Sequence, residues 1–354
     1  MDGIDAALVS FDKPGVTIHA THSQHYANEL KDALLTAIRA PLDVQLDASG
    51  ELNRRVGESF RDAALALLEK SDVRIEDVMA IGSHGQTLRH QPSADPPFSL
   101  QIGNADIIAT GVGATTVANF RQADILAGGQ GAPLVPPFHQ WLFSSTDANR
   151  VIVNIGGIAN ITVLPADGSD AIGFDTGPGN GLMDVWTRQH RGQSFDSNGE
   201  WAASGNVIES LLAQYLADPY FALSPPKSTG FEYFNPSWLR RFDLDGFDAT
   251  DIQATLSALS AQSIAMAVKE QAVGCEEVFV CGGGVHNQEL MRHLRNALPG
   301  AVVSSTSGVG LDPDWVEAAA FAWLAMRTLK QQTGNLPSVT GATHKVVLGD
   351  IHSP

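Results

Sequence analysis

Glycine punctuation constrains this chain more than any other feature. Its 34 glycines gather in short clusters, and several of these interrupt or follow apolar, β-rich runs. Without a Cβ, a glycine at a strand end permits turns and close backbone approach that other residues forbid. Val280-Cys281-Gly282-Gly283-Gly284-Val285-His286-Asn287 passes from a buried strand through three glycines toward a helix. The base or phosphate of a nucleotide can lie against backbone at such a place. Asn154-Ile155-Gly156-Gly157-Ile158-Ala159-Asn160 sits between two β-rich segments. Its paired glycines can close a plain hairpin or present N–H groups to an anion. GxGxxG is not satisfied and no lysine follows a glycine, so both common nucleotide fingerprints are absent. A nucleotide bound here would be held by another fold's geometry.

Between the clusters the chain reads as strands alternating with helices. Asp5–Phe11 and Val16–Thr21 predict a hairpin around Lys13-Pro14-Gly15. Leu52, Val56, Phe60, Ala63, Leu67 and Leu68 have helical spacing. Val78–Ile81 predicts a short buried strand ending at Gly82-Ser83-His84-Gly85, and Val151–Val163 a pair of strands. A long helix is expected near Ile252–Ala272, a strand at Val278–Cys281, and a helix near Gln288–Ala297. Asp312-Pro313 predicts the start of a last helix, with Asp as cap and Pro in the first turn. This alternation predicts α/β domains with mixed sheets, and 354 residues suffice for two of them. The Gly- and Pro-rich stretch 120–140 reads as a hinge. The expected domains are 1–126 and 127–334, with 335–354 packing back on the first.

Hydrophobic residues make up 44% and charged residues 17%, which rules out global disorder. A net charge of −17 argues against nucleic acid and anionic membrane as partners. Cys275 and Cys281 form no CxxC pair and no disulfide framework, as in a reducing compartment. No apolar run reaches the ~18–20 residues of a membrane span, and no signal peptide is evident. A cytoplasmic protein is expected.

Gly173-Phe174-Asp175-Thr176-Gly177-Pro178-Gly179-Asn180 is the densest candidate site. A carboxylate on such a turn can serve as general base or metal ligand. It can also cap the helix predicted at Gly181–His190. Asp175-Thr176-Gly177 is the tripeptide of aspartic proteases, but that chemistry needs two carboxylates sharing a proton and the tripeptide occurs once. Ser83 lacks the first glycine of G-x-S-x-G. His84, His90 and His139 lack metal-ligand spacing. Arg121 can pair with a carboxylate or phosphate.

Taken in order, these segments resemble the anhydro-N-acetylmuramic acid kinase family over essentially the whole chain. The resemblance is carried by Met1–Ala6, Gly82–Arg89 (GSHGQTLR), Gln101–Asn104, Ala127–Val135 (AGGQGAPLV), Asn154–Asn160, Gly173–Asn180, Lys227-Ser228-Thr229-Gly230 and Cys281–Asn287. It implies two ribonuclease-H-like lobes of the actin-like ATPase and sugar-kinase superfamily, α/β with mixed sheets around an interlobe cleft. It implies ATP-dependent phosphorylation of 1,6-anhydro-N-acetylmuramic acid with cleavage of the anhydro ring, in cell-wall peptidoglycan recycling and amino-sugar metabolism. Asp175 would be the catalytic base. Gln86, Thr87, Arg121 and Glu317 would line the sugar site. Asp2, Gly3, Asp5, Asn154, Gly156, Gly157, Asn160, Gly282, Gly283 and Gly284 would bind ATP. The implied cofactors are ATP and Mg2+, with no metal ligand assigned among the residues, and the implied assembly is a homodimer. A non-catalytic actin-like ATP-binding module is the alternative.

The family's first phosphate motif reads Gly-Thr-Ser-x-Asp-Gly-x-Asp after a β-strand. This sequence begins inside it, at Met1-Asp2-Gly3-Ile4-Asp5. The resemblance leaves two readings, a natural protein that starts about ten residues earlier, the length of one strand and its loop, or a genuine truncation with damaged activity; the first is the expectation.

Overall fold

The computed structural model describes residues 3–12, 15–39, 45–92 and 94–354. The expected turn residues Lys13 and Pro14, and the expected ATP contact Asp2, lie outside them. The chain packs as two compact units, 1–138 with 317–354, and 139–316. These bounds differ from the expected divisions at 126/127 and 334/335.

In the first unit β1 (Ile4–Asp12) and β2 (Gly15–Gln24) pair antiparallel, with a bulge between Leu8 and Val9. β3 (Ile81–Gly82) is shorter than expected. Residues 78–80 are not strand, and Met79 is 61% exposed instead of buried. Only Ile81 and Gly82 meet a partner, β6 (Thr116–Ala118). β4 (Gln86–Gln91) and β5 (Phe98–Ile102) form an antiparallel hairpin. The helix Gln45–Glu69 turns Leu52, Val56, Ala63 and Leu67 inward, as their spacing predicts.

The second unit is built on five strands. β7 (Arg150–Ile155), β8 (Ile158–Leu164) and β9 (Ile172–Pro178) form an antiparallel meander. β10 (Glu277–Cys281) lies parallel to β7, and β11 (Val302–Ser305) parallel to β10. The order β11-β10-β7-β8-β9 is that of a ribonuclease-H-like lobe. Val151, Ile152 and Val153 are all fully buried, as a central strand covered on both faces requires. The helix Ala249–Gln271 buries Ile252, Leu256, Leu259, Ile264 and Val268 in the same core.

Residues 317–354 return to the first unit. There β12 (Asp350–His352) pairs antiparallel with β6, giving a mixed sheet of order β12-β6-β3. The last long helix runs Val316–Leu329, later than Asp312 predicts. The Asp312 carboxylate instead accepts from the N–H of Asp314 (3.0 Å), capping a turn before the helix. The stretch 120–140 contains the boundary between the units at 138/139; it is partly helical, at Gln122–Leu126 and Pro136–Phe143, and its Gly129 and Gly131 are buried within the first unit.

Candidate active site

The second unit gathers three of the glycine segments at one edge of its sheet. In the ladder Asn154 faces Asn160, and Asn160 faces Asp175. The three polar residues therefore form one row across β7, β8 and β9, on a common face. The Gly156-Gly157 turn is tied to the end of β9 by backbone bonds. Gly179 N–H donates to the carbonyl of Gly157 (2.9 Å), Asn180 N–H to that of Gly156 (2.8 Å), and Gly181 N–H to that of Gly157 (3.0 Å). Ser260, on the long helix, donates to the carbonyl of Gly179 (2.7 Å).

The glycines divide by what limits them. A Cβ at Gly179 would overlap the carbonyl oxygen of Gly156, and one at Gly282, where φ is +76°, would overlap the Asn154 side chain. Protein packing alone demands those two. Around Gly157 a Cβ would meet nothing within 4 Å, at Gly156 only the Ile158 oxygen at 3.6 Å, and at Gly283 only the Asn180 amide at 4.0 Å. No packing within the protein excludes a side chain at these three positions, so they fit a cradle for a bound group.

Asp175 sits on β9, half-buried, six residues before the start of the helix Gly181–Arg191. It does not cap that helix, whose N-cap Asn180 makes no side-chain capping bond. Its Oδ2 accepts from Thr229 N–H (3.0 Å), its own N–H donates to the Lys227 carbonyl (3.2 Å), and its carbonyl accepts from Tyr220 O–H (2.7 Å). Lys227 and Thr229 belong to the resembling Lys-Ser-Thr-Gly segment but had no assigned role. Tyr220 carries no sequence signal at all. The Lys227 ammonium lies 5.0 Å from the Tyr220 ring centroid and 5.6 Å from that of Phe174. Burial lowers its pKa, partly offset by the charge of Glu270.

The first unit holds the other expected site residues. Gly3 and Asp5 lie at the start of β1. A Cβ at Gly3 would overlap the Gln24 carbonyl, and Asp5 accepts from Ser23 O–H (2.6 Å). Gln86 and Thr87 begin β4, where Tyr26 O–H donates to Gln86 Oε1 (3.4 Å) and Gln101 Nε2–H to Thr87 Oγ1 (3.3 Å). Gln101 also donates to Ser99 (2.6 Å), which meets His90 Nδ1 (3.0 Å). Ser83 Oγ, His90 Nε2 and Gln101 Oε1 are buried with no hydrogen-bond partner. Buried polar atoms are normally satisfied, so this strip fits a polar ligand or ordered water. Glu317 is exposed in the first turn of the helix Val316–Leu329.

Arg121 donates to the Gly131 carbonyl (2.8 Å) and to His84 Nε2 (2.7 Å). A guanidinium can only donate, so His84 accepts at Nε2 and carries its proton on Nδ1. Burial, then the Arg121 charge, pushes the His84 pKa down to about 3. The folded state therefore favours the neutral ring. The stability this contributes is complete above the ordinary pKa of about 6.5 and declines as the pH falls toward 3. Denaturant midpoints recorded from pH 7 to pH 4 should fall more steeply for the parent than for His84→Gln.

Glycine turns with open space beside them, next to a held carboxylate, suit an enzyme that moves a phosphoryl group onto a small molecule. Known proteins agree with that class. The chain belongs to the anhydro-N-acetylmuramic acid kinase family, whose family model matches residues 1–354. It is 48% identical over 355 residues to the anhydro-N-acetylmuramic acid kinase of Coxiella burnetii, covering 99% of this chain and 94% of that one. It is 48% identical over 356 residues to that of Shewanella loihica, covering 99% and 95%. The match to that of Shewanella halifaxensis is 47% over 360 residues, with the same coverage. A non-catalytic nucleotide-binding module is not favoured by relatives named as kinases over nearly the whole chain.

Proposed function

We propose that this enzyme transfers the γ-phosphoryl group of ATP to 1,6-anhydro-N-acetylmuramic acid while water opens the anhydro bridge, giving N-acetylmuramic acid 6-phosphate and ADP. The observation that carries this reading is the row Asn154–Asn160–Asp175, which puts a carboxylate in line with a glycine turn where a Cβ on Gly157 would meet no protein atom within 4 Å. Asp175 takes a proton from the water that attacks C1. The C1–O6 bond breaks, and O6 captures the phosphoryl group. An inverting glycosidase needs a second carboxyl group to protonate the leaving oxygen. Here the phosphoryl group takes that oxygen, so one carboxylate suffices.

The turns at Gly156-Gly157 and Gly282–Gly284 would face the phosphates and adenosine, with Gly3 and Asp5 as further nucleotide contacts. Gln86, Thr87, Arg121 and Glu317 would bind the sugar, with the planar Arg121 fork suited to the lactyl carboxylate. Among the described residues no group of three or more His, Cys, Asp or Glu is placed to hold a metal ion. Mg2+ would then come with the nucleotide and would offset phosphate charge there. Among the described residues no helix is long and apolar enough to cross a membrane. A cytoplasmic homodimer serving peptidoglycan recycling is the setting this reading proposes.

Coupled ADP release with and without the anhydro-sugar tests the proposal. ADP formed only with sugar, and a sugar 6-phosphate by mass, are expected. ADP release indifferent to sugar would overturn it. The glycines give a second test. Gly157→Ala should weaken ATP binding about tenfold at unchanged thermal midpoint, because only a ligand meets its Cβ. Gly179→Ala should instead cost about 1–3 kcal/mol of stability, because its Cβ meets backbone. Isothermal titration and thermal melts separate the two effects.

A further inference from the structure

β9 is the edge strand of its sheet and is bulged at Thr176, where the register passes from Ala159↔Gly177 to Asn160↔Asp175. An edge strand leaves a row of backbone groups without a ladder partner. In a strand the N–H and C=O of one residue point the same way. Those of Asp175 are met by one strap of chain, its N–H by the Lys227 carbonyl and its C=O by the Tyr220 hydroxyl. The same strap supplies Thr229 N–H to the carboxylate. Main chain and carboxylate of this one residue are thus held together from outside the sheet.

Tyr220 is itself fixed at both ends. Its N–H donates to Asp218 Oδ1 (3.0 Å), an oxygen that also accepts from Tyr233 O–H (2.7 Å). Asp218 Oδ2 accepts from Trp238 Nε1–H (2.8 Å). The Tyr220 ring is buried edge-on to Phe234, with centroids 5.4 Å apart, and lies under the Lys227 ammonium. Burial, followed by the charges of Asp175 and Glu232, raises its pKa well above the usual phenol value, so the hydroxyl remains a donor.

We propose that Tyr220 is a positioning residue for the general base: its hydroxyl, by holding the Asp175 carbonyl at the bulge, sets the angle from which the carboxylate meets the attacking water. This rests on the reading of Asp175 as the base. A small misplacement of a reacting group lowers the rate of the chemical step and leaves binding largely intact. The hydroxyl touches neither sugar nor nucleotide in this role, so its loss should appear in kcat and not in KM.

Steady-state kinetics of Tyr220→Phe, Asp175→Asn and the double variant test the proposal. Tyr220→Phe should lower kcat roughly tenfold, with KM for ATP and sugar within about twofold of the parent. Adding Tyr220→Phe to Asp175→Asn should cost nothing further, because the hydroxyl acts only through that carboxylate. A kcat within about twofold of the parent, a loss carried by KM, or an equal further loss in the Asp175→Asn background would each overturn it. Should Tyr220→Phe fail to fold, 3-fluorotyrosine at position 220 keeps the shape and alters only the donor. It should change kcat about twofold in the parent and leave the Asp175→Asn enzyme unchanged. An unchanged kcat in the parent would overturn the proposal. Near-parental turnover in Asp175→Asn alone would remove the base, a failure distinct from that of Tyr220.

Discussion

Asp175→Asn is expected to lose at least ~100-fold in turnover while ATP still binds, because general-base help is worth about 10²–10⁴-fold. The substitution keeps the shape of the side chain. An amide oxygen can still accept from Thr229 N–H, now at 3.0 Å from Oδ2, and the main-chain bonds to Lys227 and Tyr220 do not involve the side chain. Strand geometry and the neighbouring glycine turn should therefore survive. What disappears is the basic lone pair that accepts the proton of water, since an amide does not protonate at neutral pH. Single-turnover kinetics paired with nucleotide titration check both halves. Turnover within tenfold of the parent would take Asp175 out of its role. Loss of nucleotide affinity comparable to the loss of rate would mean that it holds ATP.

The largest stability effect is expected in the first unit, at Asp124. This side chain is fully buried in the first unit. Its Oδ2 accepts from Gly131 N–H (2.8 Å), and its Oδ1 from Asn335 Nδ2–H (2.7 Å) and Thr340 O–H (2.7 Å). Gln130 N–H to the Thr340 carbonyl (2.8 Å) and Thr343 N–H to the Ala127 carbonyl (2.9 Å) join the same two segments. Asp124→Ala strands three buried donors at about 1–3 kcal/mol each. Allowing for relaxation, a loss of about 3–5 kcal/mol follows, or roughly 10 °C in thermal midpoint for a unit of this size. Thr340→Val, which removes one donor and leaves the carboxylate two, should cost less than half as much. A midpoint shift under about 2 °C for Asp124→Ala would show that water replaces the carboxylate. The Gly131 carbonyl also receives Arg121, so under the sugar-binding role proposed for Arg121 the loosened loop should raise the KM for sugar as well.

Much of this molecule follows from patterns a few residues long. Hydrophobic spacing places the helix Gln45–Glu69, the apolar stretches near 252–272 and 288–297 match helices, and short apolar runs bounded by turn residues place β1, β2, β7, β8 and β10. Paired glycines between apolar runs mark the turn at Gly156-Gly157, and an aspartate among glycines marks Asp175. Each of these signals is local, because side-chain direction repeats every 3.6 or 2 residues along an element.

Partners distant along the chain leave no such trace. Asp124 looks like any acidic residue until folding brings Asn335 to it across 211 positions. The same folding buries Gly129 and Gly131 inside the first unit. Tyr220 becomes a support for Asp175 only when its strap closes the edge of β9. Which glycines serve packing and which lie open also depends on the backbone that arrives beside them. Local spacing therefore settles where elements and turns form. The assembled fold alone decides which groups meet, because a buried polar group is satisfied by whatever partner the packed chain delivers.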